Sequence, residues 1–400
     1  MATVTFLQLS DVHLGCRFAW LPPDRRQERR REQQRALERA VQLAIERNAA
    51  AILLPGDLFD AVEVDAESLA LAIHTFGVPG CPPVYIAPGN HDPYSESSGT
   101  WSERLLAARD LRWPAHVHRF DTPHWTSLEL PGHPVRVWGR CYTPAMASTE
   151  RPLGPEARGA LGTLAPTETH VAVFHGSLEG KLPPGQKMVA PFSVDEARRA
   201  PFAWMAIGHY HGAGIDEHFA YAGSPIALGP CETAGHGALV VTLEHGAGPV
   251  RASVEQVSLD ARRALEVEVD VTGAASADQV DRRILMQLDQ ARAGAQDLAT
   301  ARLHGRLARG VRWSAPGDEL LGRVWHLRVD RSALRPDFDL VELRHCSDET
   351  TEGRFARVML DRLDRETDVE ARATIERALY YGLEAFQIRD VTPAWEEIRA

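Results

Sequence analysis

The stretch P-G-D-L-F-D at residues 55–60 decides how the rest of the chain is interpreted. The apolar run at residues 50–54 precedes it, as expected of a buried strand, and Gly56 allows a sharp turn directly before a carboxylate. Loops at strand ends are where open α/β sheets place their functional side chains. Asp57 is therefore a candidate metal ligand that could bridge two ions, although a Gly-Asp pair on its own is also typical of an ordinary turn.

Five strand-like apolar runs of the sequence each end in Asp, Asn or His. The side chains at these junctions are Asp11 and His13, Asp57 and Asp60, Asn90 and His91, His175, and finally His209 and His211. The two-residue spacing in D-x-H and H-x-H places both side chains on one face of an extended backbone. Each motif alone also fits a turn. In series, they predict one site lined by carboxylates, imidazoles and an amide.

Length and composition indicate a multi-domain protein without a membrane anchor. A chain of 400 residues predicts a catalytic body with one or two smaller units, and an apolar content of 44% is ample for a core. No apolar run reaches the roughly 20 residues of a membrane span, and the N-terminus does not have the pattern of a signal peptide. The five cysteines are scattered and form no C-x-x-C pair, which argues against a disulfide framework and a thiolate zinc site. We expect a soluble, cytoplasmic protein.

The net charge of −11 is unfavourable for a protein that would hold nucleic acid unaided. A DNA-binding role therefore requires a local basic patch or a basic partner. The predicted helix at residues 24–48 begins with an arginine-rich segment, in which Arg29 and Arg30 are candidate contacts to a DNA phosphate backbone. Acidic residues interrupt the segment, so a solvated, salt-bridged helix face is the alternative.

The remaining segments predict few functional residues. Residues 143–169 are rich in Pro, Gly, Ala and Thr, which favours a surface loop. Strand patterns at 265–271, 301–307 and 324–329, with a helical pattern at 277–293, indicate an α+β unit. Residues 353–363 and 369–386 read as two amphipathic helices, which either pack on the protein or offer an apolar face to a partner.

The order D-x-H, G-D-x-x-D, G-N-H-D, H and G-H-x-H over residues 11–211 resembles the motif series of the calcineurin-like metallophosphoesterase superfamily. The versions S-D-V-H-L-G, G-D-L-F-D and P-G-N-H-D are similar to those of SbcD-type DNA repair nucleases, including the YhaO branch. The resemblance implies an α/β (α+β) fold of two packed β-sheets flanked by helices. We expect a metallophosphoesterase domain at 1–260, an α+β capping domain at 261–348 and a C-terminal helical partner-binding segment at 349–400.

The resemblance also implies the roles of the site residues. The implied ligands are Asp11, His13 and His211 for a first metal, Asn90, His175 and His209 for a second, and Asp57 as the bridge between both. His91 would act on the leaving group as a general acid or charge stabiliser, with Asp60 orienting its imidazole. The mixed ligand set suits Mn²⁺ or Fe²⁺ and tolerates Zn²⁺, and the resemblance favours two Mn²⁺ ions that hold a bridging hydroxide nucleophile.

Three functions remain open at this point. The first is a DNA exonuclease of DNA repair that acts with an SbcC-like coiled-coil ATPase, which the C-terminal helices would grip. The second is a phosphodiesterase or phosphatase for small nucleotides or phosphoproteins, and the third is a non-catalytic scaffold. Protein phosphatases of this superfamily usually read G-D-x-x-D-R-G and G-N-H-E, whereas Ala61 and Asp92 stand here. A scaffold would be expected to have lost ligands, and none is missing.

The sequence leaves the substrate and the assembly undecided. The SbcD family often has a lysine-glycine pair late in the sheet, and His236-Gly237 stands in its place here. The sequence does not distinguish exonuclease from endonuclease action, the polarity, or single-stranded from double-stranded DNA. It also leaves the oligomeric state open, with a homodimer as one compatible arrangement.

Overall fold

The computed structural model describes residues 2–97, 100–146, 149–161, 164–165, 167–182, 187–245, 250–308, 311–336, 338, 340–345 and 350–388. The chain divides into two compact units, Met1–Arg263 and Ala264–Ala400, called here the first and second unit. The described residues form two six-stranded sheets in the first unit and a three-stranded sheet in the second. The three-part domain division expected from the sequence stays a prediction.

The elements of the first unit alternate between strands and helices over most of its length. Strands β1 to β12 are Ala2–Gln8, Ala51–Leu54, Val84–Ile86, Val117–Arg119, Thr126–Glu129, Val135–Gly139, Thr169–His175, Trp204–Gly208, Gly214–Ile215, Phe219–Tyr221, Gly237–His245 and Arg251–Ser258. Helices α1 to α5 are Pro23–Glu46, Ala66–Phe76, Glu103–Ala107, Pro155–Leu161 and Val194–Arg199.

Both sheets of the first unit are mixed, with a parallel centre. In the order β12-β11-β1-β2-β3-β4, strands β1 to β4 are parallel and β11 and β12 are antiparallel to their neighbours. In the order β5-β6-β7-β8-β10-β9, the four central strands are parallel and the two outer strands are antiparallel. Parallel neighbours end at the same edge of a sheet, so the loops after β1, β2 and β3, and those after β7 and β8, are brought together.

Alternate residues of the strands fill the space between the two sheets. In β1, Phe6 faces this interior, whereas Leu7 packs on the opposite face with the residues of α1 and α2. The buried amide of Gln8 donates to the carbonyl oxygen of Ala220 at 2.6 Å and accepts from Trp204 Nε1 at 3.2 Å. These two bonds join β1 to β8 and β10 across the apolar layer, because leaving any of the groups unpaired there would be costly.

Helices cover the outer faces of both sheets. Leu37 and Leu69 of α1 and α2 lie in the apolar cluster on one sheet, and Leu161 and Ala197 of α4 and α5 lie in the cluster on the other. Each fully buried Leu contributes about 1.5–3 kcal/mol relative to an exposed one. The predicted fold class, two packed β-sheets flanked by helices, is confirmed.

The second unit has its own parallel sheet. Strands β13 to β15 are Ala264–Asp270, Leu298–Leu307 and His326–Pro336, and helices α6 to α10 are Ala277–Gln290, Asp318–Leu321, Leu340–His345, Thr351–Arg365 and Val369–Ile388. Helix α6 connects β13 to β14 and buries one stripe, Val280, Ile284 and Leu288, at the spacing expected of an amphipathic helix. Helices α8, α9 and α10 share a separate apolar cluster.

The structure corrects one sequence-based expectation about the fold. The segment 143–169 was expected to be surface loop, but it contains α4, and Leu153 and Leu161 are buried against Trp125. These apolar residues are too widely spaced to give a periodic pattern, so composition alone suggested a loop. None of the helices in the described part of the chain is both long and apolar enough to cross a membrane.

Candidate metal centre

Two loops that follow parallel strands are held side by side by their backbones. The N–H of Asp11 donates to the carbonyl oxygen of Gly56 at 3.2 Å, and that of His13 donates to the carbonyl oxygen of Asp57 at 3.0 Å. Asp11, His13 and Asp57 have φ angles of 51°, 50° and 51°. The extended backbone predicted for the D-x-H motif is therefore not observed, because Asp11 and His13 both have positive φ angles. Left-handed non-glycine residues cost of the order of 1–3 kcal/mol each and cluster at functional sites.

Glycines allow the loops to approach each other closely. A Cβ atom at Gly89 would clash with the carboxylate and backbone of Asp57, and one at Gly56, whose φ is 94°, would lie 2.6 Å from His175 Nδ1. The motifs G-D and G-N-H-D therefore need glycine because ligand-type side chains occupy the space that a Cβ would take.

The first group of donor atoms comes from Asp11, His13 and His211, whose ligand atoms all lie within 4.8 Å of one another. His13 Nδ1 is 3.1 Å from the carboxylate oxygen Oδ1 of Asp60, so it must donate there. The other nitrogen of His13, Nε2, is buried and has no hydrogen-bond partner. A buried polar atom left unpaired costs about 1–3 kcal/mol. A metal ion at this position would satisfy it.

The second group surrounds His175. Its Nδ1 is 2.9 Å from the carbonyl oxygen of Pro55, which requires Nδ1 to carry a hydrogen. Its Nε2 is 3.3 Å from Asp57 Oδ2 and 3.0 Å from Asn90 Oδ1. In the neutral ring, Nε2 is an acceptor, so three acceptors converge and need a cation between them, either a proton or a metal ion. The His209 ring lies 5.2 Å from the His175 ring, between centroids.

One carboxylate reaches both groups. Asp57 Oδ2 lies 3.6 Å from His13 Nε2 and 3.3 Å from His175 Nε2, while Oδ1 accepts from the backbone N–H of His91 at 2.9 Å. This geometry is compatible with the bridging role of Asp57, which stays a prediction. Carboxylate, imidazole and amide donors fit divalent transition ions, so the residues present are compatible with a possible dimetal site.

The charges of the site shift the pKa values of its imidazoles in opposite directions. Burial disfavours protonation of His13 and His175, but hydrogen bonds and the charges of Asp57 and Asp11 outweigh it and raise both pKa values to about 9. Burial and the neighbouring His175 lower the pKa of His209 to about 3. The charge of His175, opposed by burial, lowers the pKa of Asp57. The carboxylates of the centre therefore favour the protonated, positively charged forms of the two imidazoles nearest Asp57, His13 and His175.

Asp92, the last residue of P-G-N-H-D, has a structural role. It accepts from the backbone N–H groups of Asp57 at 3.2 Å, Phe59 at 3.2 Å and Gly89 at 2.8 Å, and thereby joins the loops after β2 and β3. Burial and the charge of Asp57 raise its pKa to about 7, against these hydrogen bonds. Its oxygens are used by the backbone, so it supports Asp57 from behind.

Asp60 is expected to orient His91, and the two residues are in contact through the backbone. The carbonyl oxygen of Asp60 lies 3.1 Å from His91 Nδ1, while the Asp60 carboxylate contacts His13. The role of Asp60 in catalysis stays a prediction. His91 is exposed, and its ring centroid lies 4.6 Å from that of His13. Sequence spacing alone does not tell which atom of Asp60 faces which ring.

The structure also corrects the substrate contact expected of Arg29. This side chain is fully buried, and its guanidinium binds Asp260 at 2.6 Å and Glu32 at 2.8 Å. A buried, paired guanidinium is not accessible to a DNA phosphate, so the expectation for Arg29 is wrong. Arg30 is exposed and donates through Nε to the carbonyl oxygen of Cys16 at 3.1 Å. A DNA contact by Arg30 stays a prediction.

Glu232 lies near the centre, although no sequence motif points to it. Glu232 Oε1 lies 2.9 Å from His211 Nδ1, which leaves Nε2 of that ring for the first group. Glu232 stands in a loop of ordinary composition between β10 and β11, 21 residues after His211. No motif marks it, and only the fold brings it to the site.

Comparison with known proteins gives one family match. A model of the calcineurin-like phosphoesterase family matches residues 4–212. Similar solved structures include TT1561 of Thermus thermophilus, at 15% identity over 63% of this chain and 99% of that chain, with a TM-score of 0.36. Another is a dimetal phosphatase from Danio rerio, at 13% identity over 64% and 99%, with a TM-score of 0.36. A search of curated proteins found no match.

Proposed function

The chain belongs to the calcineurin-like phosphoesterase family, and from this premise we propose that it is a two-metal-dependent DNA exonuclease of the SbcD type. The observation that supports the metal chemistry is the position of Asp57 Oδ2 between two imidazole nitrogens, one of which is buried without a partner. When bound, two divalent ions supply Lewis-acid stabilisation of the phosphoryl group and activation of water at neutral pH.

The protein's own residues would prepare the site for a phosphodiester. Asp11, His13, Asp57, Asn90, His175, His209 and His211 would hold the ions, as the motif resemblance implies. His13 is oriented by Asp60 and His175 by the carbonyl oxygen of Pro55, so neither ring has to reorganise when an ion binds. The buried loops around Asp57 exclude water from one side of the centre, which strengthens its electrostatic interactions.

His91 is the residue proposed to act on the leaving group. It is the one imidazole of the P-G-N-H-D motif, it is exposed, and its Nδ1 faces the backbone carbonyl oxygen of Asp60. A carbonyl oxygen only accepts, so Nδ1 carries the hydrogen in the neutral ring and Nε2 is left to face the substrate. To act as a general acid the ring would also have to carry a hydrogen on Nε2, which requires its doubly protonated form, and a general acid positioned in this way contributes about a hundredfold or more to turnover.

The choice of DNA as the substrate rests on the sequence motifs. G-D-L-F-D and P-G-N-H-D are similar to SbcD-type nucleases and differ from phosphoprotein phosphatases at Ala61 and Asp92. Resemblance to the nucleases also favours Mn²⁺ over Fe²⁺ and Zn²⁺. The net charge of −11 and the burial of Arg29 mean that DNA affinity would have to come largely from other residues or from a partner.

The partner proposed is an SbcC-like coiled-coil ATPase that binds the C-terminal helices. Helices α9 and α10 bury Met359, Leu360, Leu379 and Leu383 in a cluster shared with α8, which uses most of their apolar stripes internally. Val358, Val369 and Phe386 are exposed, at 53%, 80% and 41%. Among the described residues of the helix pair, these three side chains are the large apolar ones that a partner would cover.

Hydrolysis assays on matched substrates test the proposal. Linear duplex DNA, single-stranded DNA and bis(p-nitrophenyl) phosphate are incubated with the full chain and Mn²⁺, and with excess chelator as the control. We expect release of mononucleotides from DNA ends with Mn²⁺ and none with chelator. Hydrolysis of the small diester without cleavage of either DNA would instead favour a phosphodiesterase for small nucleotides. No hydrolysis of any diester would contradict a phosphodiesterase centre in this chain.

A further inference from the structure

Each of the four imidazoles at the metal centre has its second ring nitrogen bound to a specific partner. The partners are Asp60 Oδ1 for His13 at 3.1 Å, Glu232 Oε1 for His211 at 2.9 Å, the Pro55 carbonyl oxygen for His175 at 2.9 Å and the Lys187 carbonyl oxygen for His209 at 2.9 Å. The rings of the first group are therefore backed by carboxylates, and the rings of the second group by neutral backbone carbonyls.

This difference changes the strength of the imidazoles as ligands. A carboxylate that accepts the N–H of a ring withdraws its proton partially and makes the opposite nitrogen a stronger donor to a cation, whereas a neutral carbonyl does so less. The carboxylates also add negative charge close to the ion, and both pairs are shielded from solvent in part or in full. The predicted ligand sets differ in the same direction, because the first contains Asp11 and the second the neutral amide of Asn90, although a carboxylate oxygen of Asp11 also lies within 4.8 Å of a His175 ring nitrogen.

Asp92 does not offset this asymmetry. It is a further buried carboxylate near the second group, besides Asp57 and Asp11, and its two oxygens accept backbone N–H groups from Gly89, Asp57 and Phe59. It therefore backs the shared Asp57 rather than His175 or His209.

We propose that the two metal positions have unequal affinity, with Asp60 and Glu232 as positioning residues that make the Asp11–His13–His211 position the tight one. The position at Asn90, His175 and His209 is then the exchangeable one, filled only at higher concentrations of the ion. This inference rests on the proposed function, since it presupposes that the centre holds two divalent ions.

The loop that carries Glu232 is built to hold its carboxylate in place. Oε2 accepts from the backbone N–H of Leu228 at 2.7 Å, so Oε1 is directed to His211. His236 is buried and connects the Glu232 carbonyl oxygen, 2.9 Å from Nε2, to the Ser224 hydroxyl, 3.0 Å from Nδ1. SbcD-type nucleases often have lysine at this position. In this chain His236 stands there and joins the two ends of the segment that carries Glu232.

The buried ion pair of Arg29 anchors the start of the same loop. Asp260 accepts from the backbone N–H of Ala227 at 2.8 Å, and Arg29 donates to the Ala227 carbonyl oxygen at 3.0 Å. The residue expected to contact DNA therefore fixes Ala227, five positions before Glu232. These hydrogen bonds fix the orientation of the Glu232 carboxylate towards His211 without any ion in the site.

The variant Glu232→Gln tests the proposal with minimal change of shape. Glutamine has the same shape but no charge, and its single oxygen can replace only one of the two acceptors, Oε1 towards His211 or Oε2 towards Leu228. Glu217→Gln is the matched control, because Glu217 is exposed and the variant changes net charge by the same amount. Full-length protein is stripped with chelator and titrated with Mn²⁺ by calorimetry, and thermal unfolding of the stripped proteins is recorded in parallel.

We expect wild type to bind two Mn²⁺ ions in two distinguishable steps. Glu232→Gln should weaken the tighter step by about 10–100-fold and change the weaker step much less, as is usual for groups that orient metal ligands. Glu217→Gln should leave both steps unchanged. Asn90→Ala should remove the weaker step and keep the tighter one, which assigns the steps to the two positions.

Four results would overturn the inference. These are two equal steps in wild type, an unchanged tighter step in Glu232→Gln, equal weakening of both steps in that variant, and loss of the tighter step in Asn90→Ala. A Glu232→Gln protein that unfolds at a lower temperature yet binds as wild type would show a structural role only. Binding of no Mn²⁺ by wild type would contradict the proposed function itself, which separates the two failures.

Discussion

The metal-free protein should lose stability between pH 7 and about 9.5. Burial lowers the pKa values of His13 and His175, but their hydrogen bonds and the nearby carboxylates outweigh it and raise both from 6.5 to about 9. Stability from a raised pKa is fully present below the unfolded value of 6.5 and is lost as the pH rises through the folded value. A shift from 6.5 to about 9 corresponds to roughly 3 kcal/mol at 1.36 kcal/mol per pKa unit. Both rings share Asp57, so we count this amount once and expect a loss of about 2–3 kcal/mol over the window.

The measurement is urea unfolding of chelator-stripped protein at several pH values. The series starts at pH 7 because Asp92 also contributes below that value. Its pKa is raised to about 7, so the stability from this group is lost as the pH rises towards 7. In Asp57→Asn, which removes the shared charge, the slope above pH 7 should be much smaller. With saturating Mn²⁺ the slope should also decrease, since the ions replace the protons. A flat profile for the stripped wild type, or an equal slope in Asp57→Asn, would refute the electrostatic account of the centre.

Three further predictions concern single residues and the C-terminal helices. His91→Ala should reduce turnover at least about a hundredfold while the metal content measured by mass spectrometry stays at the wild-type value; loss of metal would show that His91 is a ligand. Asp57→Ala should lower metal occupancy more than any other single ligand change, because its carboxylate lies near both His13 and His175; two ions per chain in that variant would exclude a bridging role. Deletion of residues 350–400 should abolish binding of the ATPase in a pull-down and preserve hydrolysis of a small diester, because every proposed ligand lies within Met1–Arg263. Val358→Asp is the milder variant, and an inactive deletion protein would show that the helices support the site.

The sequence predicted the framework of the site because the chemistry is concentrated at strand ends. The runs before Asp11, Asp57, His175 and His209 are nearly all apolar, as expected of strands covered on both faces, and they end where the ligand-type residues begin. Parallel pairing then brings the ends together without further information. This is why a motif series spread over about 200 residues could indicate one site.

The supporting contacts could not be predicted because they depend on tertiary packing. The arginine-rich start of α1 looked like a solvent-facing segment, yet Arg29 lies inside because Asp260, 231 positions later, is available as a buried partner. The same holds for Glu232, whose role exists only because the loop between β10 and β11 folds back onto His211. Charge composition describes how many ionic groups a segment has, and not which of them the fold will bury.

Several unfavourable features of the metal-free centre are concentrated in one place, and this argues for a bound ligand more strongly than any single motif. Asp11, His13 and Asp57 have left-handed backbones, His13 Nε2 is buried without a partner, and the acceptors around His175 Nε2 repel one another unless that ring is protonated. Each of these features lowers the stability of the metal-free protein, so a substitution that removed one of them would be expected to stabilise the fold. A divalent ion in each group would instead satisfy the orphaned nitrogen and relieve the repulsion at the same time, so the features make sense together only if the fold keeps them for a cation.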